Sequence, residues 1–211
     1  MKRFLIAILL TVVCLGVNVQ AQTTTTTPQT ETKTETRDDE TNLETQLFLI
    51  VASNQEVGDS KLPASLDTVV KQLRASLPFK NYRLVSTLIN RVKNDGRLQL
   101  NWVGAPMTQA SSPLSSTPSF SHFNIRQVKL VRNSEGQMIQ MVGFSFGARV
   151  PIQMGAIAAG GEVRPTTSYE QTGLGTDISM REGEPVIVGT LNVGPSGDAL
   201  ILVVSAKRAQ K

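Results

Sequence analysis

The stretch that decides the fold is YEQTGLGTDISMREGEPVIVGTLNVGPSGDALILVVSAK, residues 169–207. It holds the densest strand signal in the chain, in three runs at about 168–180, 185–193 and 199–206. Val, Ile, Leu and Thr dominate these runs, and such side chains suit a pleated, half-buried surface. Gly183 and the cluster Pro195, Ser196, Gly197, Asp198 fall between them and supply turn chemistry. Short turns between such runs predict antiparallel neighbours.

Moving toward the N-terminus, FNIRQVKLVRN (123–133) and MIQMVGFSFGARVPI (138–152) flank Ser134, Glu135 and Gly136, which predicts a hairpin. GAIAAGGEVRPTT (155–167) reads as a loop of small residues, and Gly104 to Ser121 as a long loop rich in Pro, Ser and Thr. Tyr82–Val92 and Leu98–Val103 are separated by KNDGR, where Asn94, Asp95 and Gly96 tolerate positive φ, so these two runs are expected to pair as a tight hairpin. Leu84, Leu88 and Val92 also keep a helical spacing of four. The strand reading is preferred because LQLNWV (98–103) needs a partner. LFLIVAS (47–53) is a short apolar run rich enough to be buried on both sides. Leu66, Val69, Val70, Leu73 and Leu77 fall on one face of a helix, with Ser65 as the expected N-cap, Asp67 complementing the dipole and Pro78 ending it. The sum is an α+β fold, mostly antiparallel β, with about eight strands in hairpins and one main amphipathic helix.

The first 21 residues read as a signal peptide. Lys2 and Arg3 precede an apolar run from Phe4 to Val17, and Val19–Gln20–Ala21 offers a cleavage site. The run is too short to span a bilayer comfortably, so no transmembrane helix is expected after cleavage. Cys14, the only cysteine, lies inside it and follows Val13 rather than the small residue that lipidation requires. The mature chain therefore has no disulfide and no thiolate chemistry. Residues 22–46, QTTTTTPQTETKTETRDDETNLETQ, form a Thr-rich acidic spacer with six acidic and two basic residues, net −4, and only Leu43 as a core candidate. Such a segment cannot bury enough apolar surface to offset its ordering entropy, so it is expected to be disordered. Residues 47–211 are expected to be a single β-rich domain carrying net +6. That charge is dispersed and aromatics are few, which argues against nucleic acid as a partner.

Candidate chemistry is sparse. Gly143–Phe144–Ser145–Phe146–Gly147 fits G-x-S-x-G, yet the following ArgValProIle is strand-like rather than helical. The only histidine, His122, precedes the serine, so no base follows it in the chain. Gly155–Gly161 lacks the Lys-Ser/Thr ending of a phosphate loop. One histidine without spaced partners makes no metal site, and no cofactor is expected. Asp177, Glu182 and Glu184 gather near one predicted turn, and this acidic turn is the one place in the sequence where a ligand or an acid/base pair is sought.

Three pieces carry a family resemblance: GARVPI (147–152), YEQTGLGTDI (169–178) and REGEPVIVGTL (181–191). In order and turn placement they resemble the C-terminal β-domain of bacterial secretins, the outer-membrane proteins of type II and III secretion systems and type IV pili. The match covers about sixty of the 211 residues. Secretins also carry several N-terminal ring-forming domains and a longer membrane-inserting β-region, and this chain has room for neither in full. Its strand–helix–strand unit at 47–92 loosely resembles one ring-building domain. The resemblance implies an exported, non-enzymatic envelope module, in the periplasm or at the outer membrane or cell surface, with a homo-oligomer or an envelope protein as partner. The alternatives are an exported hydrolase or carbohydrate-active enzyme using the turn carboxylates, and a plain surface-displayed β-domain.

Overall fold

A computed structural model describes residues 41–55, 62–104, 117–134, 136–159, 162–193 and 197–210. The expected signal peptide and the spacer up to residue 40 lie outside these. In chain order the elements are β1 (Asn42–Ser53), α1 (Asp67–Ser76), β2 (Asn81–Lys93), β3 (Leu98–Gly104), β4 (Ser119–Asn133), β5 (Gly136–Ala159), β6 (Glu162–Arg181), β7 (Val186–Val193) and β8 (Asp198–Arg208). The strands form two antiparallel four-stranded sheets, ordered β2-β1-β8-β7 and β3-β4-β5-β6. This is the mostly antiparallel α+β class that the residue pattern predicts.

The two sheets pack face to face. Leu43, Leu47, Leu49 and Val51 of β1 and Leu200, Leu202 and Val204 of β8 meet Phe123 and Ile125 of β4 and Ile139, Met141, Phe144 and Phe146 of β5 in one cluster. The alternate residues of β1 and β8, Phe48, Ile50, Ala52, Ala199, Ile201 and Val203, pack under Leu66, Val69 and Leu73 of the helical segment. The first sheet is therefore a middle layer with apolar cover on both faces. That is why LFLIVAS is continuously apolar, and why β8 shows seven successive buried residues from Asp198 to Val204. Full burial of each large aliphatic side chain contributes about 1.5–3 kcal/mol.

Several boundaries differ from the sequence reading. β1 begins at Asn42, so the last residues of the acidic spacer are strand, and Leu43 is fully buried. Pairing of Leu43 with Val92 and Arg208 on either side outweighs the polar composition of NLETQ. Ser65 is not the N-cap. A 3-10 turn at Ala64–Leu66 leads into α1, and no side chain caps either start. GAIAAGGEVRPTT is not a loop: Gln153 to Ala159 pair with Glu162 to Thr167, so β5 and β6 extend as a ribbon past the point where β4 ends opposite Arg149. Small residues and alternating β-branched ones satisfy a ladder as well as a loop.

The expected hairpin between 82–92 and 98–103 does not form. β2 is a strand, but it pairs with β1, while β3 pairs with β4. Asn94, Asp95 and Gly96 do make a tight turn, with Asp95 at φ 60°, yet it passes the chain from one sheet to the other. The Asn94 N–H donates to Thr41 in the first sheet's end (2.8 Å), while the Asp95 N–H donates to the Val128 carbonyl (2.8 Å) and the Val128 N–H to Gly96 (2.9 Å) in the second. The buried Asn94 side chain accepts from the Leu130 N–H at 2.8 Å. A turn signal fixes a change of direction; it does not choose the partner strand.

Residues 169–207 likewise divide between the sheets. β6 completes the second sheet, and β7 and β8 belong to the first. The turn at Glu182–Gly183 makes this crossing, with the Gly183 N–H donating to Ala206 at 2.7 Å.

Candidate functional site

The three sequence-predicted carboxylates occupy different settings. Asp177 lies within β6, not in a turn. Its Oδ1 accepts the Gly143 N–H at 2.6 Å, across a register shift between Met141 and Phe144. Gly143 sits there at φ +65°, a backbone conformation an L side chain rarely adopts, and Asp177 takes up the N–H that this bulge removes from the ladder. Glu182 is in the turn, where its Oε1 accepts the Arg208 backbone N–H at 2.9 Å and the guanidinium Nε at 3.0 Å. Partial burial opposes its charge, but the Arg208 N–H, guanidinium and positive charge together outweigh burial and hold the carboxyl below its ordinary value. Glu184 is exposed in the same turn. Among the described residues, no group of three or more His, Cys, Asp or Glu side chains is placed to hold a metal ion.

Beside this turn the outer face of the first sheet carries a second carboxylate that sequence reading passed over. Glu44 of β1 and Lys207 of β8 are register partners, and Lys207 Nζ stands 3.4 Å from Glu44 Oε1. The Gln46 amide donates to the same oxygen at 3.1 Å. That hydrogen bond, with the Lys207 charge behind it, holds the Glu44 carboxyl below its ordinary value. Glu44 fell inside the low-complexity spacer of the sequence, so no pattern marked it. Only strand pairing brings it to Lys207, 163 residues away.

The outer face of the second sheet forms the other candidate surface. Register places Val103, Phe120 and Arg149 in one row across β3, β4 and β5, and Asn101, His122, Gly147 and Gly173 in the next across β3 to β6. Val103 is 62% exposed and Phe120 42% exposed, and register sets the two side by side across β3 and β4. The Phe120 and Tyr169 rings are 5.7 Å apart, and the Arg149 guanidinium lies 5.6 Å from the Tyr169 ring centre. The Tyr169 hydroxyl donates to the Pro118 carbonyl at 3.1 Å, which fixes the ring.

His122 lies directly across Gly147, where its imidazole fills the space a Cβ would take. It lines a shallow recess with Ser145, Gly173 and Gly175. The histidine that precedes the serine in the chain thus shares its face of the sheet, a proximity set by register and invisible to motif order. Ser145 nevertheless sits mid-strand in β5, without the strand–turn–helix elbow that exposes a nucleophile.

No helix among the described residues is long and apolar enough to cross a membrane, which says nothing of strands. No protein-family profile and no curated protein matches the sequence. Among solved structures, the chain is similar to the secretin InvG of the Salmonella type III secretion injectisome, at 11% identity and a TM-score of 0.36, covering 82% of this chain and 66% of that one. It is also similar to the Vibrio cholerae type IV competence pilus secretin PilQ, at 10% identity and a TM-score of 0.33, covering 81% and 58%. A third is a chain of the Klebsiella pneumoniae type II secretion system outer membrane complex of PulD, PulS and the PulC HR domain, at 13% identity and a TM-score of 0.31, covering 81% and 39%. The chain thus spans two thirds or less of the length of these chains. They are of the group that residues 147–191 resemble.

Proposed function

We propose that this chain is an exported, non-enzymatic envelope module that works by assembling with itself or with another envelope protein. The observation that carries this reading is the exposure of Phe120 and Val103 on the outer face of the second sheet. Phe120, Tyr169 and Arg149 form a contiguous aromatic and cationic patch there, beside Val103, and aromatic and arginine side chains are enriched in binding interfaces. The leader read from residues 1–21 and the secretin-like pieces at 147–191 support the same role and an envelope location. The roles of Asp177 and Glu182 support the non-enzymatic part, because both carboxylates accept hydrogen bonds from the chain's own backbone.

The test uses the full chain. Light scattering of the purified protein and crosslinking in intact envelopes are expected to reveal an oligomer or a fixed partner. Replacement of Phe120 by Asp is expected to reduce the crosslinked fraction about tenfold or more, the effect of losing a buried aromatic anchor. A strictly monomeric protein with no crosslinked product, in wild type and variant alike, sinks the proposal.

A further inference from the structure

The helical segment covers only part of the first sheet's outer face. Beyond it, toward the Glu44 end of β1, a recess of about 300 Å³ opens between the sheet and the turn that follows β6. Glu44 and Gln46 of β1 and Ser205 and Lys207 of β8 form its wall, with Ser65 and Pro185 at its sides and the buried Phe48 as an apolar base.

We propose that this recess binds a neutral, hydroxyl-rich ligand: one ring of an uncharged saccharide. The charges decide against ions. Glu44 and Lys207 face each other at 3.4 Å and cancel, so an anion entering here meets Glu44 and a cation meets Lys207. A zwitterionic amino acid would have to part that pair and the Gln46–Glu44 hydrogen bond before either of its own charges gained a partner.

The remaining chemistry suits hydroxyls. The Gln46 amide spends one N–H on Glu44, which leaves its second N–H and carbonyl, and Ser65 and Ser205 each donate and accept. A sugar hydroxyl does both at once, so it can accept from Lys207 or Gln46 while donating to Glu44. Pro185 offers apolar surface for the C–H face of a ring. The volume lies at the lower end of the range for small-ligand sites, which limits the occupant to about one ring with its bound water. This inference does not rest on the assembly reading, because it concerns the opposite sheet.

The experiment titrates full-length, isotope-labelled protein with maltotriose, cellotriose and the neutral tri-N-acetylchitotriose, and with L-alanine as the zwitterionic rival, following backbone amide signals. At least one trisaccharide is expected to produce saturable shifts at Gln46, Gly183 and Ser205. Gln46→Ala and Ser205→Ala are each expected to weaken that binding about tenfold, the effect of losing one or two hydrogen bonds, with thermal unfolding unchanged. Phe120→Asp should bind the sugar as wild type does, which separates this test from that of assembly. The proposal is overturned if none of the three sugars gives saturable shifts, if L-alanine alone does, or if both serine and glutamine variants bind with undiminished affinity.

Discussion

The two sheets share an interface but differ in what their other faces meet. The first sheet is covered by α1 over Phe48, Ile50, Ile201 and Val203, and its central strands are apolar on both sides. The second sheet alternates on either side of the bulge at Gly143: Phe123, Ile125, Phe144 and Phe146 point inward, while His122, Arg126 and Arg149 are exposed. The difference teaches that a continuous apolar run and a clean alternation report different neighbours rather than different strand types. It also separates the residues that hold the fold from those available for recognition.

The strongest way to break this comparison is to empty the shared core. Leu202→Ala, at a position with no exposed surface, is expected to destabilise by about 4 kcal/mol in denaturant unfolding, whereas Val103→Ser on the open face should cost less than about 0.5 kcal/mol. Comparable losses at the two sites would mean that the outer face of the second sheet is also packed. Next in size is the helical cover. Leu73→Ala should cost about 2–3 kcal/mol, measured the same way, and a loss near zero would reduce α1 to a decoration.

The glycines of the open face sharpen the contrast further. A Cβ on Gly173 would stand 2.6 Å from the Phe146 carbonyl oxygen and 3.1 Å from Gly147 Cα, both backbone atoms that cannot swing away. Gly173→Ala is therefore expected to cost about 2 kcal/mol. At Gly147 the obstacle is the His122 ring, a movable side chain. Gly147→Ala should cost about 1 kcal/mol, and His122→Ala should relieve that cost while leaving the Gly173 penalty intact, as a double-mutant cycle would read out.

The smallest effect concerns Glu182. Its carboxyl is held below the ordinary glutamate value in the folded chain, so its contribution is present above the unfolded-state value and is lost as pH falls through the lowered folded-state value. Glu182→Gln should cost under about 1 kcal/mol at neutral pH, because the group is partly solvated, and nothing at a pH below both values. A difference that persists in acid would show that shape, not charge, joins the turn to β8.

Much of this architecture was legible in the residues, for identifiable reasons. The helix face from Leu66 to Leu77 and the runs of β6, β7 and β8 are local signals, set by period and turn chemistry. Pairing was not local. Asn94–Asp95–Gly96 announced a turn, but only the apolar faces of β1 and β4 determine that β2 and β3 join different sheets. The acidic turn was visible as three carboxylates, and Glu182 and Glu184 do lie in it. Asp177 does not, because a bulge at Gly143 claims its side chain. Glu44 was hidden by its threonine-rich surroundings, and its closeness to Lys207 exists only once the first and last strands align. Likewise, His122 and Ser145 became neighbours through register rather than order.

That alignment has a consequence in time. β1, the first of the described strands, and β8, the last, lie side by side at the centre of the first sheet, and β2 and β7 flank them. Until β8 is delivered, β1 has a partner on one side only, and its row of buried aliphatic residues faces solvent along the other. Contacts of such long sequence separation are slow to close. Folding of this sheet therefore waits for residues 198–208 to emerge.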